Sequence, residues 1–343
     1  MVLMRIVALE EHFVIPEVVK AWQALPPGRM TFTGGAGDDP LSRRLLEIGD
    51  ERLAAMDDQG VDVQVLSLTS PGVQSLDAAD SVAVARDAND ALAEAIAKYP
   101  DRFQGFASVP TPDPEAAPAE LERAVTQLGF AGGLINGRTG TTNADAREFD
   151  DLYATAARLG VPLYFHPQTP VAGVREAYYS GLGDNVDYLL ANAGIGWHYE
   201  TGMQILRMIF GGVFDRNPDL QVVTGHWGEV VLFFLERTQQ LATGLGVKLD
   251  RTLEEYARQN LWVTGSGLLS QRYLRWSTEV LGVDRIMSAV DYPYVDNSGG
   301  AARRFIEDAP LSLDDKEAIG SGNWQRLLAR RTSAAQSAES RAQ

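Results

Sequence analysis

The residues best equipped for chemistry are few. The chain has 4 histidines and no cysteine. Imidazole and carboxylate are therefore its available metal ligands and proton carriers, and disulfides, thiolate metal sites and cysteine nucleophiles are excluded. The first cluster is Glu10-Glu11-His12. In an extended segment alternate side chains share a face, so Glu10 and His12 point one way and Glu11 the other. That pair is a natural two-ligand grip, although the tripeptide alone reads more simply as a surface turn. His166 leaves an apolar run in Tyr164-Phe165-His166-Pro167, and Asp291 ends another in Ala289-Val290-Asp291-Tyr292-Pro293. A buried imidazole needs a partner, and a buried carboxylate needs a cation or hydrogen bonds. Singly, His166 is equally a hydrogen-bonded core histidine and Asp291 equally a helix cap or salt-bridge partner. Together the four offer nitrogen and oxygen donors that suit one zinc, manganese or magnesium ion.

A second motif is Gly225-His226-Trp227-Gly228-Glu229. A carboxylate near an imidazole fixes its tautomer and raises its basicity, which makes a general acid/base pair. Glu229 is also a favourable charge for a first helical turn, and the two roles are compatible. His198 lies in a long connection without a strand end beside it. Arg237 falls two turns into the helix after His226, where a solvated arginine is the plain alternative to a substrate contact.

These residues need elements to bring them together. Short runs rich in Val, Ile, Leu and Phe occur at residues 5–9, 63–68, 103–109, 130–135, 161–165, 220–224, 261–264 and 285–289. Near-continuous apolar runs of this kind are how strands of a parallel sheet read when both faces are buried. A helical pattern follows each, at 50–58, 78–98, 114–128, 147–159, 200–214, 229–243, 270–281 and 313–330. Gly60, Gly129, Gly160 and Gly282 stand where helices stop. Strand–helix units in series predict a (β/α)8 barrel of the TIM type rather than an open doubly wound sheet. In such a barrel the C-terminal strand ends converge on one mouth, and Glu10, His12, His166, His226 and Asp291 all fall at or just past strand ends. No Gly-rich phosphate loop follows a strand, which argues against nucleotide binding. Two long connections, 16–42 and 168–199, leave the first and fifth strands and are expected to wall the mouth. The first carries Trp22 and Met30; the second carries Tyr178, Tyr179, Tyr188 and Trp197.

The bulk numbers agree with one domain. The chain has 343 residues, 45% apolar and 22% charged, ample for a barrel of about 250 residues with insertions. We expect a single barrel over 1–331 and a disordered polar tail over 332–343. A net charge of −16 disfavours nucleic-acid binding. No run approaches a membrane span, and the first five residues do not read as a signal peptide. A cytoplasmic protein is the default expectation.

In order along the chain, Ala8-Leu9-Glu10-Glu11-His12-Phe13, Leu66-Ser67-Leu68, Ala88-Asn89-Asp90 and Pro100-Asp101-Arg102-Phe103 are followed by Leu134-Ile135-Asn136-Gly137, Phe165-His166-Pro167, Gly225-His226-Trp227-Gly228-Glu229 and Asp291-Tyr292-Pro293. This ordered set resembles the amidohydrolase-related decarboxylases, most of all γ-resorcylate and 2,3-dihydroxybenzoate decarboxylases, over nearly the whole chain. The resemblance implies that Glu10, His12, His166 and Asp291 are metal ligands and that His226 and Glu229 are the catalytic pair. It also implies that Arg237 lies near the substrate, with Asn136, Trp197 and His198 on loops expected to contact it. It implies one divalent metal, no organic cofactor, and a homodimer or homotetramer. Where the wider superfamily often begins with His-x-His, this chain has Glu-x-His, which points to the decarboxylase-like branch. The segments around Trp197-His198-Tyr199-Glu200 and 137–143 depart from the nearest members.

The expected reaction is non-oxidative loss of CO2 from a hydroxylated aromatic acid. Asp291 would protonate the ring carbon, and His226, steadied by Glu229, would take the phenolic proton or relay protons. The same parts would serve metal-assisted hydrolysis of a lactone, amide or related carbonyl compound, with Asp291 as the base. A barrel that binds metal without turnover is the third reading, and the His226/Glu229 pair argues against it.

Overall fold

The structure is a computed structural model and describes residues 4–26 and 37–331. Eight strands form one parallel sheet in sequence order: β1 Val7–Phe13, β2 Val63–Leu68, β3 Phe103–Ser108, β4 Gly132–Asn136, β5 Pro162–His166, β6 Gln221–Thr224, β7 Leu261–Thr264 and β8 Ile286–Met287. Bridges from Ala8 to Ser288 and from Glu11 to Tyr292 bring β8 back to β1. The result is the expected barrel of alternating strands and helices.

Both strand faces are buried, for two different reasons. Val7, Leu9, Val65, Phe106, Leu134, Tyr164, Val223 and Met287 fill the barrel interior. Ala8, Leu66, Ile135, Phe165 and Val222 face outward into the layer under the helices. The helical segment 323–331 closes the N-terminal end of the barrel. Its Trp324 stacks edge-on against Phe106 at 5.7 Å and donates its indole N–H to Gln104. The interior is thus a packed core below and a polar mouth above, the usual arrangement in such barrels.

Several boundaries differ from those expected. β1 runs through Phe13, so Glu10 and His12 belong to the strand itself. β8 is only two residues long, and Asp291 lies four residues past it. Both long connections contain helices, Pro16–Gln23 and Pro40–Leu46 in one and Ala172–Tyr178 and Asp184–Ala191 in the other. Leu253–Asn260 and Ala301–Glu307 are helices without a counterpart in the sequence reading. They are too short for a 3.6-residue pattern to stand out. Met30 and the tail 332–343 lie outside the described residues. Among the described residues no helix is long and apolar enough to cross a membrane.

Candidate metal centre

β1 and β5 deliver the first three candidate ligands. Glu10 and His12 share one face of β1, as alternation requires, while Glu11 turns away to accept from the backbone N–H of Val290 and Tyr292. A bulge between Ala8 and Glu11 shifts the register with β2 here, and bulges commonly re-aim side chains beside functional sites. His166 ends β5. The ligand atoms of Glu10, His12 and His166 lie within 4.8 Å of one another. Glu10 Oε1 is 3.3 Å from His166 Nε2, and the His12 and His166 rings meet edge-on at 4.7 Å. Asp291 approaches from the far side, its Oδ1 3.4 Å from His12 Nε2.

The donor set suits a divalent cation. The Nδ1 of His166 faces the Pro167 carbonyl at 2.9 Å. A carbonyl only accepts, so Nδ1 carries the proton and the Nε2 lone pair points at the Glu10 carboxylate. Glu10 Oε1 and His12 Nε2 are both buried and both lack a hydrogen-bond partner. Two acceptors facing each other across 3.3 Å, with buried unpartnered atoms beside them, are costly unless a cation lies between them. The other oxygen of Glu10 is held by Tyr164 and Ser266, whose hydroxyls donate to it. Those bonds orient the carboxylate from behind, as outer partners of metal ligands commonly do.

His226 and Glu229 form the second half of the mouth. His226 Nδ1 bonds Glu229 Oε1 at 2.7 Å, and His226 Nε2 points toward the metal cluster, 3.8 Å from Glu10 Oε1. The turn that carries them is strained. His226, Trp227, Glu229 and Val230 all have positive φ, a region costly for residues with a Cβ and most costly for β-branched valine. Asp291 and Ser266 share that conformation, with φ of 58° and 42°. Such strain gathers at functional sites when packing over-determines it. Glu229 therefore does not occupy a first helical turn as expected, since the helix is Val231–Gly244.

His198 also differs from expectation. It stands in the first turn of the helix Gly196–Phe210, and its Nδ1 bonds Glu229 Oε2 at 2.8 Å. Its neighbour Trp197 is buried, and the Trp197 ring meets the His166 ring at 6.2 Å. Asn136 ends β4 in register with His166 and is buried with its Oδ1 unpartnered. A cavity of about 390 Å³ is lined by Pro71, Ser75, Arg138, Gln168, Thr169 and Arg175 among others. Arg237, by contrast, is exposed and makes no hydrogen bond or ion pair with any described residue. Within one chain it is not part of the cluster.

Electrostatics divide the groups sharply. Burial pulls His12 down to about 4, and burial likewise lowers His166, so both stay neutral and ready to ligate. Burial would raise Glu10, but His226, His166 and His12 outweigh it and hold Glu10 well below the usual carboxylate range. Burial and then Glu10 push Asp291 up to about 8. Burial opposes charge on His226, yet Glu229 and Glu10 overcome it and lift the imidazole to about 10. Glu229 is lowered in turn: burial opposes its charge, and His226 and His198 prevail.

The sequence reading missed Tyr164, Ser266 and Gly225. Tyr164 was findable, because it stands two residues before His166 in the same strand and shares its face. Ser266 follows β7 in a Gly-Ser-Gly turn that carries no chemical signature. Gly225 matters only through its neighbour, Glu10, which is remote in sequence.

Residues 12–330 match the amidohydrolase family. The γ-resorcylate decarboxylase of Rhodococcus jostii is 36% identical over 338 residues, which is 94% of this chain and 98% of that protein. Among solved structures, 5-carboxyvanillate decarboxylase from Sphingomonas paucimobilis superposes with a TM-score of 0.87 at 36% identity, covering 95% of this chain and 99% of that one. Dihydroxybenzoic acid decarboxylase from Polaromonas sp. JS666, with bound manganese and the inhibitor 2-nitroresorcinol, gives 0.82 at 32% identity over 95% of this chain and 97% of that one.

Proposed function

Because the chain belongs to the amidohydrolase family, we propose that it is a metal-dependent, non-oxidative decarboxylase of a hydroxylated aromatic carboxylic acid. One observation carries the proposal: the unpartnered, buried Glu10 Oε1 and His12 Nε2 face His166 and Asp291 at the mouth of the barrel. Relatives that align over nearly the whole chain decarboxylate such acids. Glu10, His12, His166 and Asp291 are read as the ligands of one divalent cation, zinc, manganese or magnesium, and manganese is bound in a related structure. When bound, the cation would supply Lewis acidity to the substrate carboxylate and an adjacent phenolic oxygen.

The protein's own groups would do the rest. His226, held as imidazolium by Glu229 and Glu10 against its burial, would keep its Nε2–H against the phenolic oxygen and relay that oxygen's proton. The Asp291 carboxylate would receive that relayed proton and give it to the ring carbon that bears the carboxylate. The bond from that carbon to the carboxylate then breaks, its electron pair returns to the ring, and CO2 leaves. Trp197 and Asn136 flank His166 and are read as substrate-facing walls.

We also read the chain as forming a homodimer or homotetramer. Phe233, Phe234 and Leu241 on the helix Val231–Gly244, and Leu245 just past its end, are exposed, and Arg237 lies among them. A face of this kind on a soluble protein marks an association surface. The experiment that tests the function is metal analysis with a CO2-release screen over hydroxybenzoates, before and after chelation. Release that depends on the metal supports the reading. Metal-dependent hydrolysis of lactones or amides without CO2 would overturn it.

A further inference from the structure

Glu229 is fully buried, and each of its oxygens accepts from a different imidazole: Oε1 from His226 Nδ1 at 2.7 Å and Oε2 from His198 Nδ1 at 2.8 Å. The two rings are tilted against each other beside the carboxylate, with centroids 4.5 Å apart and planes inclined at 60°. A carboxylate held by one hydrogen bond still turns about its last bond. Held from both sides, its plane is set, and so is the direction of the imidazole that shares it.

We propose that His198 is a positioning residue for the acid–base pair, its Nδ1–H locking Glu229 so that His226 Nε2 stays aimed into the mouth. This rests on reading His226 and Glu229 as that pair. The proton on His198 Nδ1 follows from its partner, because a carboxylate only accepts. Its Nε2 faces the Trp197 indole N–H at 3.1 Å and the Ala193 carbonyl at 3.1 Å. Whichever of these Nε2 serves, the Nδ1 proton remains. His198 is also held firmly. Thr201 Oγ1 bonds the Trp197 carbonyl at 2.9 Å one turn on. Gly202 brings the helix against the strained turn so closely that a Cβ there would overlap the Glu229 carbonyl and meet Val230 Cγ2 at 3.1 Å. The helix Gly196–Phe210 is therefore packed directly against the turn 225–230. The nitrogens of His198 are engaged by protein atoms, so its part in the reaction is exerted through Glu229 and not by touching substrate. None of the hydrogen bonds of His198 involves Glu10, His12, His166 or Asp291, so its replacement leaves those four side chains in place.

The test compares His198→Phe, His198→Asn and Glu229→Gln in the zinc-loaded protein. Asparagine places an N–H near the position of Nδ1; phenylalanine keeps the ring and removes the donor. His198→Phe is expected to lower kcat by about 10- to 100-fold with KM within about twofold and metal content unchanged. His198→Asn is expected to recover most of that loss. By ¹⁵N-histidine NMR, which needs no substrate, the hydrogen-bonded Nδ1–H signal of His226 should disappear in His198→Phe and return in His198→Asn. An unchanged His226 signal and unchanged kcat in His198→Phe would overturn the proposal. So would equal losses of kcat and metal in both His198 variants, which would mark a merely structural role. Wild-type turnover in Glu229→Gln would instead remove the acid–base reading itself, whatever His198 does.

Discussion

Gly225 lies directly against Glu10: a Cβ in its place would overlap Glu10 Oε2 and come within 2.5 Å of Ser266 Oγ. The strand β6 thus approaches the metal cluster with backbone alone, and the space a methyl would fill is occupied by the carboxylate and the hydroxyl that orients it. Gly225→Ala should push Glu10 from its place. We expect a loss of about 1–3 kcal/mol in stability from overpacking and a fall in metal affinity of at least about tenfold. Thermal melts and metal titration of the same preparation check both. A variant with wild-type metal affinity would show that Glu10 is not a ligand held by this contact.

Asp291→Asn removes the ionisable oxygen that faces His12 Nε2 at 3.4 Å while keeping the shape. Bound metal and turnover should both be lost. Elemental analysis after dialysis, beside a CO2-release assay, measures them together. Retention of both would end its role as ligand and proton donor.

His226→Asn leaves Glu10, His12 and His166 in place and deletes the imidazole paired with Glu229. Metal content should stay near wild type while kcat falls by about 10²–10⁴-fold, the usual range for a lost acid–base group. Activity within a few-fold of wild type would refute the assigned role.

The raised Asp291 carboxyl has a consequence for metal binding. It stands at about 8 before metal enters, through burial first and Glu10 second. A cation binds only the carboxylate, so below about pH 8 binding must expel a proton and the apparent affinity falls by about tenfold per pH unit. Above about pH 8 the affinity should level off, because Asp291 is then already ionised. His12, lowered to about 4 by burial, adds no dependence in that range. Calorimetric titration with manganese in buffers of different ionisation enthalpy should detect about one proton released near neutral pH. Affinity that does not change between about pH 6 and pH 8 would contradict this.

Arg52 supports β1 from outside the site. Fully buried, it donates to the carbonyl of His12 at 2.5 Å, to Glu47 O at 3.1 Å and to Gln64 Oε1 at 3.3 Å. Gln64 in turn donates to Glu11 at 3.2 Å, a carboxyl that burial pushes well above its usual range. Arg52→Ala would strand several buried acceptors and should destabilise the protein by about 3–5 kcal/mol. Chemical denaturation measures it, and a loss below about 1 kcal/mol would show the network to be dispensable.

Much of the fold was legible because a buried parallel strand needs an apolar run and a crossover helix needs an amphipathic one. β2 and β7 fall where the residues predict them, and so does the helix Ala78–Lys98. The alternation of β1 correctly separated Glu10 and His12 from Glu11, since side-chain direction along a strand is a local property. The pairing of His226 with Glu229, three residues on, was equally local.

What the sequence could not express is distance between residues far apart in the chain. That Asp291 meets His12, and that Ser266 and Tyr164 grip Glu10, depends on the closure of the barrel. The positive φ of His226, Glu229, Val230 and Asp291 runs against local preference, so no propensity announces it; surrounding packing imposes it. His198 is the sharpest case. Its sequence neighbourhood is an ordinary helix start, and only the seating of that helix against the turn 225–230 places its imidazole on Glu229. By itself the sequence determined the barrel, the residues that cluster at its mouth and the family, because these follow from residue type and local period. Tertiary structure alone decided that Arg237 is outside the single-chain cluster, that Gly225 lies against Glu10 and that His198 bonds Glu229, because each is set by how separate elements pack.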